Sequence, residues 1–81
     1  SYYVYVLKSQ KDHKHYIGST SNLEKRLAYH NAGRQRSTKH RIPFTMIYHE
    51  EFPSKKEALQ REKYLKSLKG GTTFKKIIGN D

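Results

Sequence analysis

Five side chains of this sequence could act together on a phosphate group: Tyr5, Tyr16, Arg26, His30 and Glu62. One carboxylate can hold a hard cation such as Mg²⁺ when water and substrate phosphate complete its coordination shell. An arginine can stabilise the charge of a pentacovalent phosphate. A tyrosine can act as a base or nucleophile when nearby positive charge lowers its pKa. The set therefore fits phosphodiester cleavage, although two tyrosines in strands are also common packing residues.

The two tyrosines fall in segments that predict a β-hairpin. Residues 2–7 and 15–19 are rich in aromatic and β-branched side chains, with a polar stretch between them. Both faces of the first strand are apolar, so we expect this strand to be covered on both sides. A loop centred between residues 10 and 11 places Tyr5 opposite Tyr16. Gly18 indicates a close approach of the backbone or the end of the second strand.

Arg26 and His30 fall on a predicted helix. The Ser-x-x-Glu capping box that begins at Ser21 predicts a helix over residues 22–32, which Gly33 ends. Arg26 and His30 are four residues apart and lie beside the leucine stripe of this helix, so they are neighbours on its surface. We expect both side chains to border the sheet.

A third strand follows over residues 44–52. Its alternation places Met46 and Tyr48 on one face and Ile47 on the other.

Glu62 lies in the apolar arc of a second long helix, which a capping box at Ser54 opens and two glycines at 70 and 71 end. The arc consists of Ala58, Leu59, Leu65 and Leu68. A glutamate in such an arc is rarely left unpaired, because burying a lone carboxylate is costly. Two interpretations stand equally: a structural ion pair with a lysine or arginine, and a metal ligand or catalytic acid that faces a cleft. A short closing helix is expected over residues 72–78.

The connection over residues 33–43 carries five basic side chains, and the whole chain has a net charge of +10. This balance predicts attraction to polyanions, with nucleic acid as the first candidate and an anionic membrane surface as the second. The connection could also be a solvated loop, but its density of charge favours phosphate contact. The predicted nucleic-acid-binding residues are Arg34, Arg36, Lys39, His40 and Arg41.

The composition indicates one small domain over residues 1–81. There is no cysteine, which excludes disulfides and thiolate metal sites. No apolar run approaches the roughly 20 residues of a membrane span. The start of the chain shows no signal-peptide pattern, so we expect a cytoplasmic protein with no membrane partner.

The order of these residues resembles the GIY-YIG nuclease superfamily over nearly the whole chain. Tyr3-Val4-Tyr5 and Tyr16-Ile17-Gly18 resemble its two name motifs, with Tyr3 in place of the first glycine. The segment Ser37-Thr38-Lys39-His40 is similar to that of small stand-alone bacterial members. Those members are similar to the amino-terminal nuclease domain of the excinuclease C subunit. Asn80 is the one candidate for the late asparagine of many such nucleases.

The resemblance implies an α/β (α+β) fold, a three-stranded antiparallel sheet flanked by helices. It implies that Tyr5 and Tyr16 are the paired motif tyrosines, that Arg26 is the catalytic arginine, and that His30 occupies an active-site position. It also implies that Glu62 holds one divalent metal, Mg²⁺ or Mn²⁺.

The function implied is a metal-dependent endonuclease that hydrolyses DNA, with branched or damaged DNA as candidate substrates and DNA repair as the setting. A targeting protein partner is a further expectation. The alternatives are a nucleic-acid-binding module that keeps the fold without useful catalysis, and a small adaptor for a protein partner.

Overall fold

The computed structural model describes residues 1–79, which form a three-stranded antiparallel sheet and three α-helices. The elements are β1 (Tyr2–Ser9), β2 (His15–Thr20), α1 (Leu23–Asn31), β3 (Phe44–Phe52), α2 (Lys55–Leu68) and α3 (Thr72–Ile77). A 3₁₀ turn, Lys39–Arg41, lies between α1 and β3. The strand order is β2-β1-β3. The expected α+β fold is confirmed, and Asn80 lies outside the described residues.

The central strand β1 is buried on both faces, as its two apolar faces predict. Tyr5 and Leu7 point to a core that includes Phe44 and the leucines of α1. Val4 and Val6 point to the opposite core, which α2 and α3 complete. The sheet therefore separates two hydrophobic layers, one under α1 and one under α2 and α3.

The predicted pairing of Tyr5 with Tyr16 is wrong, because Tyr5 pairs with Gly18 and Tyr16 pairs with Leu7. Strand β1 continues to Ser9, further into the connection than the sequence suggests. The Ser9 hydroxyl accepts hydrogen bonds from the backbone N–H groups of residues 11 and 12, both at 3.1 Å. These bonds centre the turn one residue later than predicted. The slip of two positions keeps Tyr5 and Tyr16 on the same face.

The predicted alternation along β3 is wrong at Tyr48. Val6 pairs with Tyr48 and the next residue, Leu7, pairs with Met46, so Ile47 is an extra residue in a β-bulge. The bulge turns Tyr48 to the same face as Ile47, and both pack against the core under α2.

The first helix begins one residue later than its predicted capping box. The chain stays in strand β2 through Thr20, whose hydroxyl accepts from the backbone N–H of Asn22 at 3.1 Å. Asn22 therefore replaces Ser21 as the N-cap, and its side chain accepts from the backbone N–H of Lys25 at 3.0 Å. Gly33 follows the helix with φ +72°, as its predicted role as a stop signal requires.

The predicted burial of Leu59 is also wrong, because its side chain is 45 % exposed. The rotation of helix α2 about its axis is fixed by Arg61, which donates two hydrogen bonds to Glu50 of β3 at 2.8 and 3.0 Å. Residues two apart on a helix point about 200° apart, so this pairing turns Leu59 to solvent. Ala58 and Leu65 remain fully buried.

Candidate active site

The centre of the candidate site is a contact between Tyr5 and His30. The Tyr5 hydroxyl lies 3.1 Å from His30 Nε2. The His30 side chain is fully buried although it is polar, and Tyr5 is 2 % exposed. β1 supplies Tyr5 from the middle of the sheet, and the last turn of α1 places His30 above it.

The neighbouring hydrogen bonds favour one arrangement of the protons of this pair. His30 Nδ1 lies 3.2 Å from the Thr38 hydroxyl, which donates to the backbone carbonyl of Gln35 at 3.4 Å. Because the Thr38 proton is directed to that carbonyl, its oxygen accepts from His30 Nδ1–H. Nε2 then carries no proton and accepts from the Tyr5 hydroxyl. The chain of donors runs from Tyr5 through His30 to Thr38.

Burial keeps both members of the pair neutral. Desolvation, and after it the charge of Arg26, lowers the pKa of His30 below 6.5. Desolvation, and then the neighbouring Tyr16, raises the pKa of Tyr5 well above its usual 10, against the lowering effect of Arg26. At neutral pH the Tyr5 hydroxyl is therefore a hydrogen-bond donor and not a base.

Tyr16 borders the same cluster from the edge strand β2. Its ring centroid lies 4.9 Å from that of His30 and 6.4 Å from that of Tyr5. Its hydroxyl oxygen accepts a hydrogen bond from Gln35 Nε2 at 3.0 Å. The two tyrosine hydroxyls thus differ: that of Tyr5 donates to a buried imidazole, and that of Tyr16 accepts from a half-buried amide.

Gly18 makes room for the Tyr5 ring. A Cβ atom at position 18 would lie 2.5 Å from the Tyr5 hydroxyl oxygen and 2.7 Å from its Cζ. Contacts that short do not occur between real side chains, so Tyr5 can take this position only when residue 18 is glycine. Of the two alternatives predicted at Gly18, the end of the strand is wrong, because β2 continues to Thr20, and the close approach is made by a side-chain ring on the glycine.

Arg26 lies at the border of the cluster, one turn before His30 on α1. Its guanidinium stacks on the exposed ring of Tyr29, with Cζ 5.2 Å from the ring centroid. Its charge acts on both Tyr5 and His30, which places it within electrostatic reach of each. Arg26 also lines an open cleft of about 440 Å³ with Tyr29, Lys25 and residues 20–22.

Glu62 approaches the site from the other helical layer. Helix α2 packs on the face of the sheet opposite to the tyrosine cluster, yet the Glu62 charge still acts on the Tyr5 hydroxyl. The Glu62 carboxylate is 16 % exposed and forms an ion pair with Lys66 at 2.8 Å. The structural ion pair considered for Glu62 is therefore present, with a lysine that is itself 54 % exposed.

Within residues 1–79, no group of three or more His, Cys, Asp or Glu side chains is arranged to hold a metal ion. Glu62 is the acidic side chain whose charge acts on Tyr5. A metal at this position would depend on one carboxylate for its protein ligand.

The basic connection is divided between exposed and paired side chains. Arg34, Arg36, Lys39 and His40 are exposed. Arg41 instead forms an ion pair with Asp12 at 2.9 Å and stacks on Phe44. Four of the five predicted phosphate contacts are therefore on the surface, and the fifth is held against the hairpin turn.

Sequence reasoning gave no role in the site to three residues that organise the cluster, although Thr38 lies in the segment that resembles small bacterial family members. Gln35 and Thr38 hold Tyr16 and His30 from inside the basic connection. Asn31 accepts from the backbone N–H of Phe44 at 2.7 Å and donates to its carbonyl at 3.2 Å, which fixes the end of α1 to β3. A polar residue directly after His30 was a usable signal for Asn31; only the tertiary fold brings Gln35 to Tyr16.

A family model described as the GIY-YIG catalytic domain matches residues 1–76. The chain belongs to the GIY-YIG nuclease family.

Within that family, the chain is similar to small proteins named UPF0213. A UPF0213 protein of Staphylococcus haemolyticus is 43 % identical over 77 residues, which covers 94 % of this chain and 93 % of the relative. One from Clostridium perfringens is 48 % identical over 67 residues, 82 % of this chain and 71 % of the relative.

A UPF0213 protein from Bacillus halodurans has a solution NMR structure. It is 33 % identical, covers 90 % of this chain and 89 % of its own, and has a TM-score of 0.49. In the part of the chain that the structure describes, no helix has the length and apolar character needed to cross a membrane.

Proposed function

We propose that this protein is a metal-dependent endonuclease that hydrolyses DNA phosphodiester bonds. The observation that carries the proposal is the cluster of the buried Tyr5 and His30 with the half-buried Tyr16, beside the Arg26 charge. A neutral histidine with no exposed surface is costly to bury, and here it is bonded on both ring nitrogens. Such an arrangement positions hydroxyl groups more accurately than packing alone requires.

The two tyrosines take different roles in the proposed reaction. Tyr5 is held protonated and donates to His30, so it serves to orient the site. The Tyr16 oxygen receives a hydrogen bond from Gln35, which leaves the Tyr16 proton free to be donated. Tyr16 is therefore our candidate for the group that orients or activates the attacking water.

Arg26 is the proposed electrostatic stabiliser of the transition state. Hydrolysis joins a water oxygen to phosphorus and breaks a phosphorus–oxygen bond of the backbone, and negative charge accumulates on the phosphate oxygens between these events. Arg26 lines an open cleft, and within residues 1–79 its guanidinium is held by an aromatic stack on Tyr29 and by no ion pair. It can move to a phosphate without breaking a buried ion pair.

The single carboxylate of Glu62 fits a hard cation that keeps most of its water. Mg²⁺ is commonly bound through one or two carboxylates, with water and substrate phosphates as the other ligands. Glu62 is mostly shielded, its charge acts on Tyr5, and its partner Lys66 is an exposed and flexible ammonium that a divalent ion can replace. When bound, such a cation would supply charge neutralisation at the phosphate.

In this proposal, the exposed cationic side chains of the basic connection, residues 33–43, attract the substrate. The net charge of +10 and the exposed side chains of Arg34, Arg36 and Lys39 favour a polyanion that lies across the end of α1. Branched or damaged DNA is the substrate class that we propose, and a targeting protein partner is the accompanying proposal. Arg41 is proposed to support this surface through its pair with Asp12.

Cleavage of labelled linear, nicked, flapped and branched DNA tests the proposal, with matched RNA oligonucleotides beside them. We expect cleavage of at least one DNA substrate with Mg²⁺ or Mn²⁺ and none with EDTA. Binding without cleavage under every condition would overturn the enzyme and leave the alternative, a nucleic-acid-binding module with the nuclease fold.

A further inference from the structure

Gln35 is connected by hydrogen bonds to both tyrosines of the cluster, directly to Tyr16 and through Thr38 and His30 to Tyr5. Its side-chain amide donates to the Tyr16 oxygen at 3.0 Å. Its backbone carbonyl accepts from the hydroxyl of Thr38 at 3.4 Å and from the Thr38 backbone N–H at 3.1 Å. Thr38 lies against His30, which lies against Tyr5. One residue between two arginines thus connects the two hydroxyl groups of the site.

The segment around Gln35 alternates between solvent and interior. Arg34 and Arg36 are exposed, whereas Gln35 is half-buried and Thr38 is 1 % exposed. The outward side chains carry the charge, and the inward ones carry the hydrogen bonds. A nucleic-acid phosphate held by the outward set would therefore stabilise the same short stretch of backbone that holds Tyr16.

We propose that Gln35 is a positioning residue that fixes the Tyr16 ring and directs its hydroxyl. Because the amide N–H donates to the Tyr16 oxygen, the Tyr16 proton stays free to be donated to substrate or passed to another group. This inference rests on the proposed function, since it assigns Tyr16 a part in the reaction.

The polarity of this hydrogen bond separates a positioning role from simple packing. Leucine at position 35 keeps much of the side-chain volume and removes the donor. Glutamate keeps the shape and a polar end, but its carboxylate would accept the Tyr16 proton and reverse the bond. A packing role tolerates Gln35→Glu, and a donor role does not. Gln60→Leu, the same change at an exposed position of α2, is the matched control.

The first measurement is single-turnover cleavage at saturating substrate, with affinity measured separately in Ca²⁺. The substrate is whichever branched or linear oligonucleotide the wild type cleaves. We expect Gln35→Leu to slow the step about 10²-fold, as a misplaced reacting group does. Gln35→Glu should be no faster than Gln35→Leu, and Gln60→Leu should match the wild type. A wild-type rate in either Gln35 variant would overturn the inference.

The second measurement does not depend on activity. In protein labelled with ¹³C at the tyrosine ring, the ζ-carbon resonance of Tyr16 should move in Gln35→Leu and stay in place in Gln60→Leu. If the wild type cleaves nothing, the proposed function fails and this spectrum alone decides the inference. A Tyr16 resonance that Gln35→Leu leaves unchanged would overturn it.

Discussion

The Tyr5 ring lies directly on Gly18 of the neighbouring strand, so closely that a Cβ atom at position 18 would be 2.5 Å from the Tyr5 hydroxyl oxygen. The two residues are also backbone partners in the hairpin. The Tyr5 hydroxyl can therefore reach His30 because Gly18 has no side chain that would occupy its place.

Gly18→Ala should therefore displace Tyr5 and break its bond to His30. Over-packing of this kind costs about 1–3 kcal/mol of unfolding free energy. We expect a lower melting temperature, a shifted His30 ring signal in NMR spectra, and loss of any cleavage activity. Ser19→Ala, on the same strand, is the control. An alanine variant with unchanged Tyr5 and His30 signals would contradict the contact.

The stability of the protein should depend on the charge of His30. Its pKa is lowered in the folded state, by desolvation first and then by Arg26, so the unfolded chain binds its proton at higher pH. The unfolding free energy then rises with pH where only the unfolded state is protonated. This contribution is complete above about 6.5, the ordinary pKa, and is lost as the pH falls below it.

Denaturant unfolding of the wild type and of His30→Gln between pH 5 and 8 (a range chosen to bracket the ordinary histidine pKa of about 6.5) measures this contribution. We expect the wild type to lose stability toward pH 5 with a steeper slope than the variant. The slope is the informative quantity, since the substitution also changes stability at every pH. Equal slopes would mean that folding does not lower the pKa of His30, which would contradict its burial as a neutral side chain.

The sequence predicted the positions of the strands and helices better than the pairing register of the strands and the rotation of helix α2. Residue types and caps predicted three strands and the helices within a few residues. The predicted hairpin register is wrong because the register depends on hydrogen bonds from the turn backbone to the Ser9 side chain. The predicted faces of β3 are wrong because the sequence carries no signal for the β-bulge at Ile47. Leu59 was misplaced because the rotation of α2 is fixed by the Arg61–Glu50 contact across the sheet.

The spacing of residues in the sequence likewise predicted some features of the site and not others. It identified His30 beside Arg26 on α1, because both lie on one local helix. It could not predict which tyrosine donates and which accepts, because Gln35 and Thr38 reach the cluster through a connection without regular periodicity. The interaction of Glu62 with Lys66 was one of two interpretations, and helical spacing alone could not separate them.

Glu62→Gln should abolish divalent-metal binding and leave the fold intact. Gln keeps the shape of the side chain and removes its charge, and the Lys66 that loses its ion pair is itself 54 % exposed and regains water. We expect chemical shifts near Tyr5 to respond to Mg²⁺ in the wild type and not in the variant, with nearly equal melting temperatures. Lys66→Met, which removes the competing ammonium, should tighten Mg²⁺ binding. A destabilised Glu62→Gln protein with unchanged Mg²⁺ response would make Glu62 purely structural.

Nucleic-acid affinity should fall steeply with salt. Each phosphate contact adds about −0.9 to the slope of log affinity against log salt on duplex DNA. Replacing Arg34, Arg36 and Lys39 by alanine should flatten that slope, because all three side chains are exposed on the basic connection. A control with equal charge loss replaces Lys55, Lys56 and Lys63 of α2. If only the α2 variant flattens the slope, the binding surface lies on that helix.

The most direct measurement of the central claim compares Arg26→Ala with the wild type in two assays, single-turnover cleavage and substrate affinity. Losing a preorganised electrostatic contact to a transition state costs about 10²–10³ in rate. One charge among 17 basic residues contributes little to overall attraction, so affinity should stay within a few-fold. Lys11→Ala, which removes the same charge from the hairpin turn, should behave as the wild type. We predict a slow Arg26→Ala enzyme that still binds; an Arg26→Ala protein that cleaves as fast as the wild type would contradict the assignment of this cluster.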